Sequence, residues 1–245
     1  MTIQEGLGKI QMTSTAGKRS YCIIYEFQFE SGNKKKFNIT LDPETITLVP
    51  KGSEPKPEWT KLEFHQCSCC SLEKEQSPFC PIAVNIAEIV EEFKNEISSD
   101  QCTATCKTPE RTYMKEASVQ EGLFSIFGIV MATSNCPIMN FFKPMARFHL
   151  PFSTVEETIF RSASIYLLRQ YFEYKKGLIP DLELTKLDQH YEKVQQVNSG
   201  ILDRTGHIAK KDADKNAIVI LNALAQMLSY EISDNLNSLE YLFQK

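Results

Sequence analysis

Four cysteines carry the strongest chemical pattern in the chain. Cys67 and Cys70 stand at C-x-x-C spacing within His65-Gln66-Cys67-Ser68-Cys69-Cys70, and Cys80-Pro81 follows. Two thiolates so spaced point at one ion from a tight turn, and a third arriving at a helix start gains from the positive end of the helix dipole. Cys136-Pro137 also falls in a loop at a predicted helix start and is the candidate fourth ligand. Cys69 and His65 compete for the same role; adjacent Cys69 and Cys70 rarely bind one ion together, which favours the Cys67 and Cys70 pair. The alternative is that all these cysteines are reduced packing residues.

Zinc is the general occupant of a closed four-thiolate site. The Cys-Pro pairs at Cys80 and Cys136, and the lack of zinc-knuckle glycines, point instead to a [4Fe–4S] cluster, although the ferredoxin cysteine run is absent. Cys102 and Cys106 are read as strand cysteines on one face, and Cys22 as a core residue. Met1 to Arg19 contains no apolar run of signal-peptide length. A cytoplasmic location with reduced thiols is therefore expected, and clustered thiols then point to metal.

A second constellation is Arg147, His149 and Arg161, beside the predicted helix start at Ser153. Free amides and cationic side chains there could hold an anion. The bland reading pairs Arg147 and Arg161 with Glu156 or Glu157 and has His149 bonded to a helix end. Asp188, His190 and Glu192 read as a solvated face, since residues two apart on a helix diverge. Tyr166, Tyr171, Phe172 and Tyr174 read as interhelical packing. No Walker, dinucleotide or G-x-S-x-G motif is present among only 10 glycines.

The elements that must position these residues change character along the chain. Tyr25, Phe27 and Phe29 alternate, as do Phe37, Ile39 and Leu41, across Ser31-Gly32-Asn33, which is a hairpin pattern. Thr45–Val49 and Trp59–Phe64 are predicted as further strands, separated by the Pro50 to Pro57 loop, and Gln101–Met114 as one or two more. Between them, Ile82, Ile86, Ile89, Val90, Phe93 and Ile97 predict a helix opened by Pro81. Capping boxes are predicted at Ser118 with Glu121 and at Ser153 with Glu156. Four longer helices follow, about Val119–Thr133, Thr154–Lys176, Leu182–Ala209 and Asp212–Phe243. Gly177 is a stop for the second, and Leu221, Leu224, Leu228, Ile232, Leu236, Leu239 and Phe243 form a buried stripe on the last.

With 245 residues, 42% of them hydrophobic, the chain can bury a substantial core without cysteine staples. Its formal charge of -4 offers no broad cationic field, so nucleic acid is not expected as a partner. The apolar Gly122–Thr133 segment is too short to span a membrane, and no membrane association is expected. The predicted fold is α+β: a flexible N-terminus (1–20), a region with a small antiparallel sheet, the cysteine cluster and one helix (21–115), and a helical bundle (116–245). The metal site is expected at the sheet–bundle junction.

The C-x-x-C pair, Cys80-Pro81-Ile82-Ala83, Ser134-Asn135-Cys136-Pro137 and Met145-Ala146-Arg147-Phe148-His149-Leu150-Pro151-Phe152 together resemble an uncharacterised bacterial protein family, from about Phe64 to the end. Ser71 stands where that family has proline. The resemblance implies no activity; it supports grouping Cys67, Cys70, Cys80 and Cys136 and testing Arg147 and His149. The first functional reading is a non-enzymatic binding or regulatory module with a structural ion and an unidentified protein partner. The second is an iron–sulfur redox sensor or electron carrier. The third is an enzyme using Arg147 and His149 on an anionic substrate.

Overall fold

The computed structural model describes residues 20–50, 55–208 and 211–244. Of the stretch read as a flexible N-terminus, residues 1–19 lie outside it, as do the middle of the Pro50–Pro57 loop and the expected helix end at Ala209.

Alternation between β-branched or aromatic and polar residues makes β1 (Tyr21–Phe29) and β2 (Lys34–Leu41) an antiparallel pair, with Tyr25 opposite Phe37. The turn closes through Phe29 N–H to Asn33 O at 2.9 Å, with Gly32 at φ +85°. β3 (Gln101–Lys107) pairs with the other side of β1, and β4 (Thr112–Ser118) with β3, giving the antiparallel order β2-β1-β3-β4. One face is dry: Ile23, Tyr25 and Phe27 on β1, Phe37, Ile39 and Leu41 on β2, and Cys102, Ala104 and Cys106 on β3 are buried. Cys102 and Cys106 thus share a face as expected. Cys22 does not join the core: it lies half-buried on the other side of the pleat, because Ile23 and its period-two partners occupy the inner face.

α1 (Pro81–Phe93) and α2 (Val119–Thr133) cover this face. Phe93 meets Phe27 and Phe37 with ring centroids 5.0 and 5.8 Å apart, and Gly122 lets α2 approach the Phe27 ring. α1 stops at Phe93, so Ile97 falls outside the helix and is exposed. α2 is buried nearly all round, because α6 takes its other side. Its start is the predicted capping box, with Ser118 N–H donating to Glu121 Oε2 at 2.9 Å.

Two expected strands are not formed. Thr45–Val49 contributes only a bridge between Leu48 and Leu41, because Asp42 Oδ1 accepts the Glu44 and Thr45 amides and holds a turn there. Trp59–Phe64 begins in a 3-10 turn (Glu58–Thr60) with Pro57 at its cap, and pairs only through Lys61 with Phe79.

The bundle comprises a short α3 (Lys143–Arg147), then α4 (Val155–Lys175), α5 (Thr185–Gly206) and α6 (Ala213–Ser233). The cap of α4 is one residue later than predicted: Thr154 Oγ1 accepts Glu157 N–H at 3.1 Å, and Glu157 Oε2 accepts Thr154 N–H at 2.7 Å. α4 ends as expected at Gly177, φ +82°, where Gly177 N–H reaches Tyr174 O and Leu178 N–H reaches Glu173 O. Tyr166 is buried, but Tyr171, Phe172 and Tyr174 in the last turns of α4 are exposed rather than packed between helices. α6 stops at Ser233; Asn235 and Leu236 take positive φ, and Asn237–Phe243 is 3-10. Leu228, Ile232 and Leu239 are buried, whereas Phe243 is 73% exposed because this break turns it off the stripe. No helix among the described residues is long and apolar enough to cross a membrane.

Candidate metal centre

The predicted cysteines come together from three stretches of chain. Cys67 and Cys70 share a turn in which Cys70 N–H donates to Cys67 O at 3.0 Å. Cys80 caps α1 with Pro81 at the first helical position, and its own N–H is held by Thr60 O at 2.8 Å. Cys136 follows α2 after Asn135, whose φ of 68° turns the chain, and Cys136 O accepts Asn140 N–H at 2.9 Å. The extension of β2 reaches the same helix end through Leu48 N–H to Thr133 O at 2.9 Å.

The four sulfurs are electrostatic neighbours. Burial first, and then the sulfurs of Cys69, Cys70, Cys136 and Cys80, push the Cys67 thiol well up. Burial pushes Cys136 up to about 11, with the nearby Met139 and Ile138 backbone amides acting in the opposite direction. Even so, among the described residues no three Cys, His, Asp or Glu side chains stand in metal-holding geometry. The thiols are gathered without forming a closed coordination shell.

Two residues on α5 frame the cluster. Gly200 lies against Cys67, where a Cβ would sit 2.9 Å from Cys67 Cβ. One turn on, Arg204 is only 2% exposed. Its Nη1 donates to Trp59 O (2.9 Å) and Lys61 O (2.7 Å), and its Nη2 to Leu62 O (2.7 Å). The groups whose charge would act on this guanidinium are Cys80, Cys67 and Cys70. An arginine in a polar helix stretch gives no sequence signal for such a role; only its spacing of four from Gly200 places both on one helix face.

The competing ligands are nearby but differently engaged. Cys69 Sγ donates to Lys193 O at 3.5 Å, as a neutral thiol does, and Ser68 Oγ donates to Gln196 Oε1 at 2.7 Å. His65 stacks on His207, centroids 4.7 Å apart.

The second constellation divides. Arg147 stacks over Tyr21 (4.6 Å) and Phe148 (5.6 Å). His149 Nε2 bonds Tyr25 Oη at 2.5 Å, and burial followed by the Arg161 charge brings its pKa down to about 3, so it is a neutral ring and no anion-binding cation. Arg161 Nη2 donates to Met145 O (3.1 Å) and Phe148 O (2.8 Å) at the end of α3, and of the two expected carboxylates it is Glu157 whose charge acts on it. His149 and Arg161 line one cavity, of which Arg147 is not a wall. His190 is not on a solvated face: its ring stacks on Phe141 at 4.0 Å.

Fold and side chains together define an α+β protein whose helical layer gathers a cysteine cluster over a buried arginine. The chain belongs to the family described as Domain of unknown function (DUF6901), which matches residues 23–244. No curated protein and no solved structure matches it.

Proposed function

We propose that Cys67, Cys70, Cys80 and Cys136 hold one metal ion, zinc, as the structural staple of a non-enzymatic intracellular binding or regulatory module. The observation that carries this reading is Arg204. A buried cation is costly unless paired, and this one is held by backbone carbonyls against three of the cysteines. Neutral thiols leave it uncompensated, whereas four thiolates around a divalent ion carry a net charge of about -2 and offset it. The donor set fits the ion: four soft sulfurs, with the Met139 and Ile138 amides near one of them favouring its thiolate. Bound there, the ion would join the 61–79 segment, the start of α1 and the end of α2.

The Cys-Pro pairs at Cys80 and Cys136 suit an iron–sulfur cluster as the second reading, with a redox sensor or electron carrier as the role. Elemental analysis and absorbance of anaerobically purified protein separate the two: a colourless protein with one zinc per chain for the first, a brown protein bleached by reductant for the second. Removing zinc with a chelator is expected to abolish cooperative unfolding, because binding energy at a structural site is folding energy. A preparation with neither metal that takes up no added zinc, and unfolds identically with and without chelator, overturns both.

A further inference from the structure

A cavity of about 140 Å³ lies among α2, α3, α4, α5 and α6, and none of the four cysteines lines it. Its wall is mainly apolar, with Ile129, Phe142, Val194, Leu221, Leu224 and Leu228 contributing. Apolar cavities of roughly this size, about 150 Å³, admit a benzene-sized guest.

Most polar groups on the wall are already satisfied within the protein. Ser125 Oγ shares a hydrogen bond with Tyr25 Oη (2.8 Å) and accepts Phe152 N–H (3.1 Å). Tyr191 Oη pairs with Ser162 Oγ (2.7 Å), and Ser153 Oγ with Thr158 Oγ1 (3.0 Å). His149 is held by Tyr25.

Two groups differ. Asn198 is 2% exposed, and its Oδ1 has no hydrogen-bond partner. A buried acceptor left bare costs about 1–3 kcal/mol, so its presence on a cavity wall marks a missing donor. Arg161 uses Nη2 on two carbonyls, and burial weighs against its charge more than Glu157 offsets, so a further anion beside it would be favoured. Both line the cavity, set apart along α5. Arg161 faces the Tyr191 end of α5, and Asn198 lies seven residues further along that helix, roughly 10 Å at 1.5 Å per residue.

We propose that this cavity binds a slender amphipathic carboxylate, with its carboxylate on Arg161, its apolar body between α2 and α6, and a terminal hydroxyl or amine donating to Asn198 Oδ1. With two hydrogen bonds and the reach of the Arg161 and Asn198 side chains taking up part of that distance, a chain of about six carbons bridges it and stays near the size of guest such a cavity admits.

Calorimetry on the full chain with hexanoate, hexanol and 6-hydroxyhexanoate tests this. Hexanoate is expected to bind at least about tenfold more tightly than hexanol, from one charge-assisted contact, and 6-hydroxyhexanoate more tightly again. Arg161→Gln should erase the preference for the acid, and Asn198→Leu the gain from the hydroxyl. Because Arg161 also caps α3, Leu224→Trp, which fills the half-buried side of the cavity, provides an independent variant that should abolish binding of all three. Equal affinity for acid and alcohol, no binding of any of them, or binding that survives Leu224→Trp overturns the proposal.

Discussion

Gly200 and Cys67 touch through backbone: a Cβ on Gly200 would lie 2.9 Å from Cys67 Cβ and 3.2 Å from its Cα. The cysteine-bearing turn therefore rests directly on α5. Gly200→Ala has no flexible side-chain end to push aside and must displace the turn itself. A loss of about 1–3 kcal/mol is expected from overpacking, read by urea unfolding, together with weaker zinc uptake than in the parent protein. Unchanged stability would mean that the turn moves freely on α5.

Arg204→Met keeps the length of the side chain and removes its donors. The Trp59, Lys61 and Leu62 carbonyls would lose their partners. At about 1–3 kcal/mol for each buried acceptor left unpaired, a total loss of at least about 3 kcal/mol is expected in denaturant unfolding. Arg204→Lys, a compact charge without the planar fork, should recover only part of it.

Asp214 sets a pH dependence. It is 1% exposed, neither carboxylate oxygen has a hydrogen-bond partner, and burial, only partly opposed by Lys35, pushes its carboxyl up to about 8. In an unfolded chain an aspartate releases its proton near pH 4. The folded state therefore binds more protons between pH 4 and 8. The stability contributed by the neutral form is complete below pH 4 and is lost as pH rises through 8. Thermal unfolding of Asp214→Asn should show a flatter profile across that window, with a gain over the parent on the order of a few kcal/mol at pH 8 and little at pH 4.

Gly122→Ala probes the contact between sheet and helices. The added methyl would overlap the buried Phe27 ring, itself held edge-on by Phe93 at 5.0 Å and Phe37 at 6.2 Å. A destabilisation of about 1–3 kcal/mol is expected, relieved by the double change Gly122→Ala with Phe27→Leu. Additive losses in the double variant would show that the two positions do not share space.

Regular periodicity was the most legible feature of the sequence. The hairpin, the paired strands after α1, and α2 with its capping box follow from alternation, helical spacing and a serine followed three residues later by glutamate. Legibility failed where local side-chain bonds compete with a pattern, as at Asp42, whose carboxylate turns a β-rich stretch into a loop. It failed by one residue at α4, because Ser153 and Thr154 are both followed by glutamate at the right spacing and only packing selects Thr154. Grouping Cys67, Cys70, Cys80 and Cys136 was possible from spacing and proline neighbours. Arg204, Gly200 and Asn198 could not be grouped with anything, since their roles come from tertiary approach across α5.

The clasp of Arg204 on the Trp59, Lys61 and Leu62 carbonyls also bears on motion. The 61–79 segment has no helix or ladder of its own beyond single bonds such as Leu62 N–H to Pro78 O, so its order is borrowed from α5. Amide hydrogen exchange at Leu62 and Cys80 should therefore keep pace with that of central α5, the loop and the helix opening as one cooperative unit.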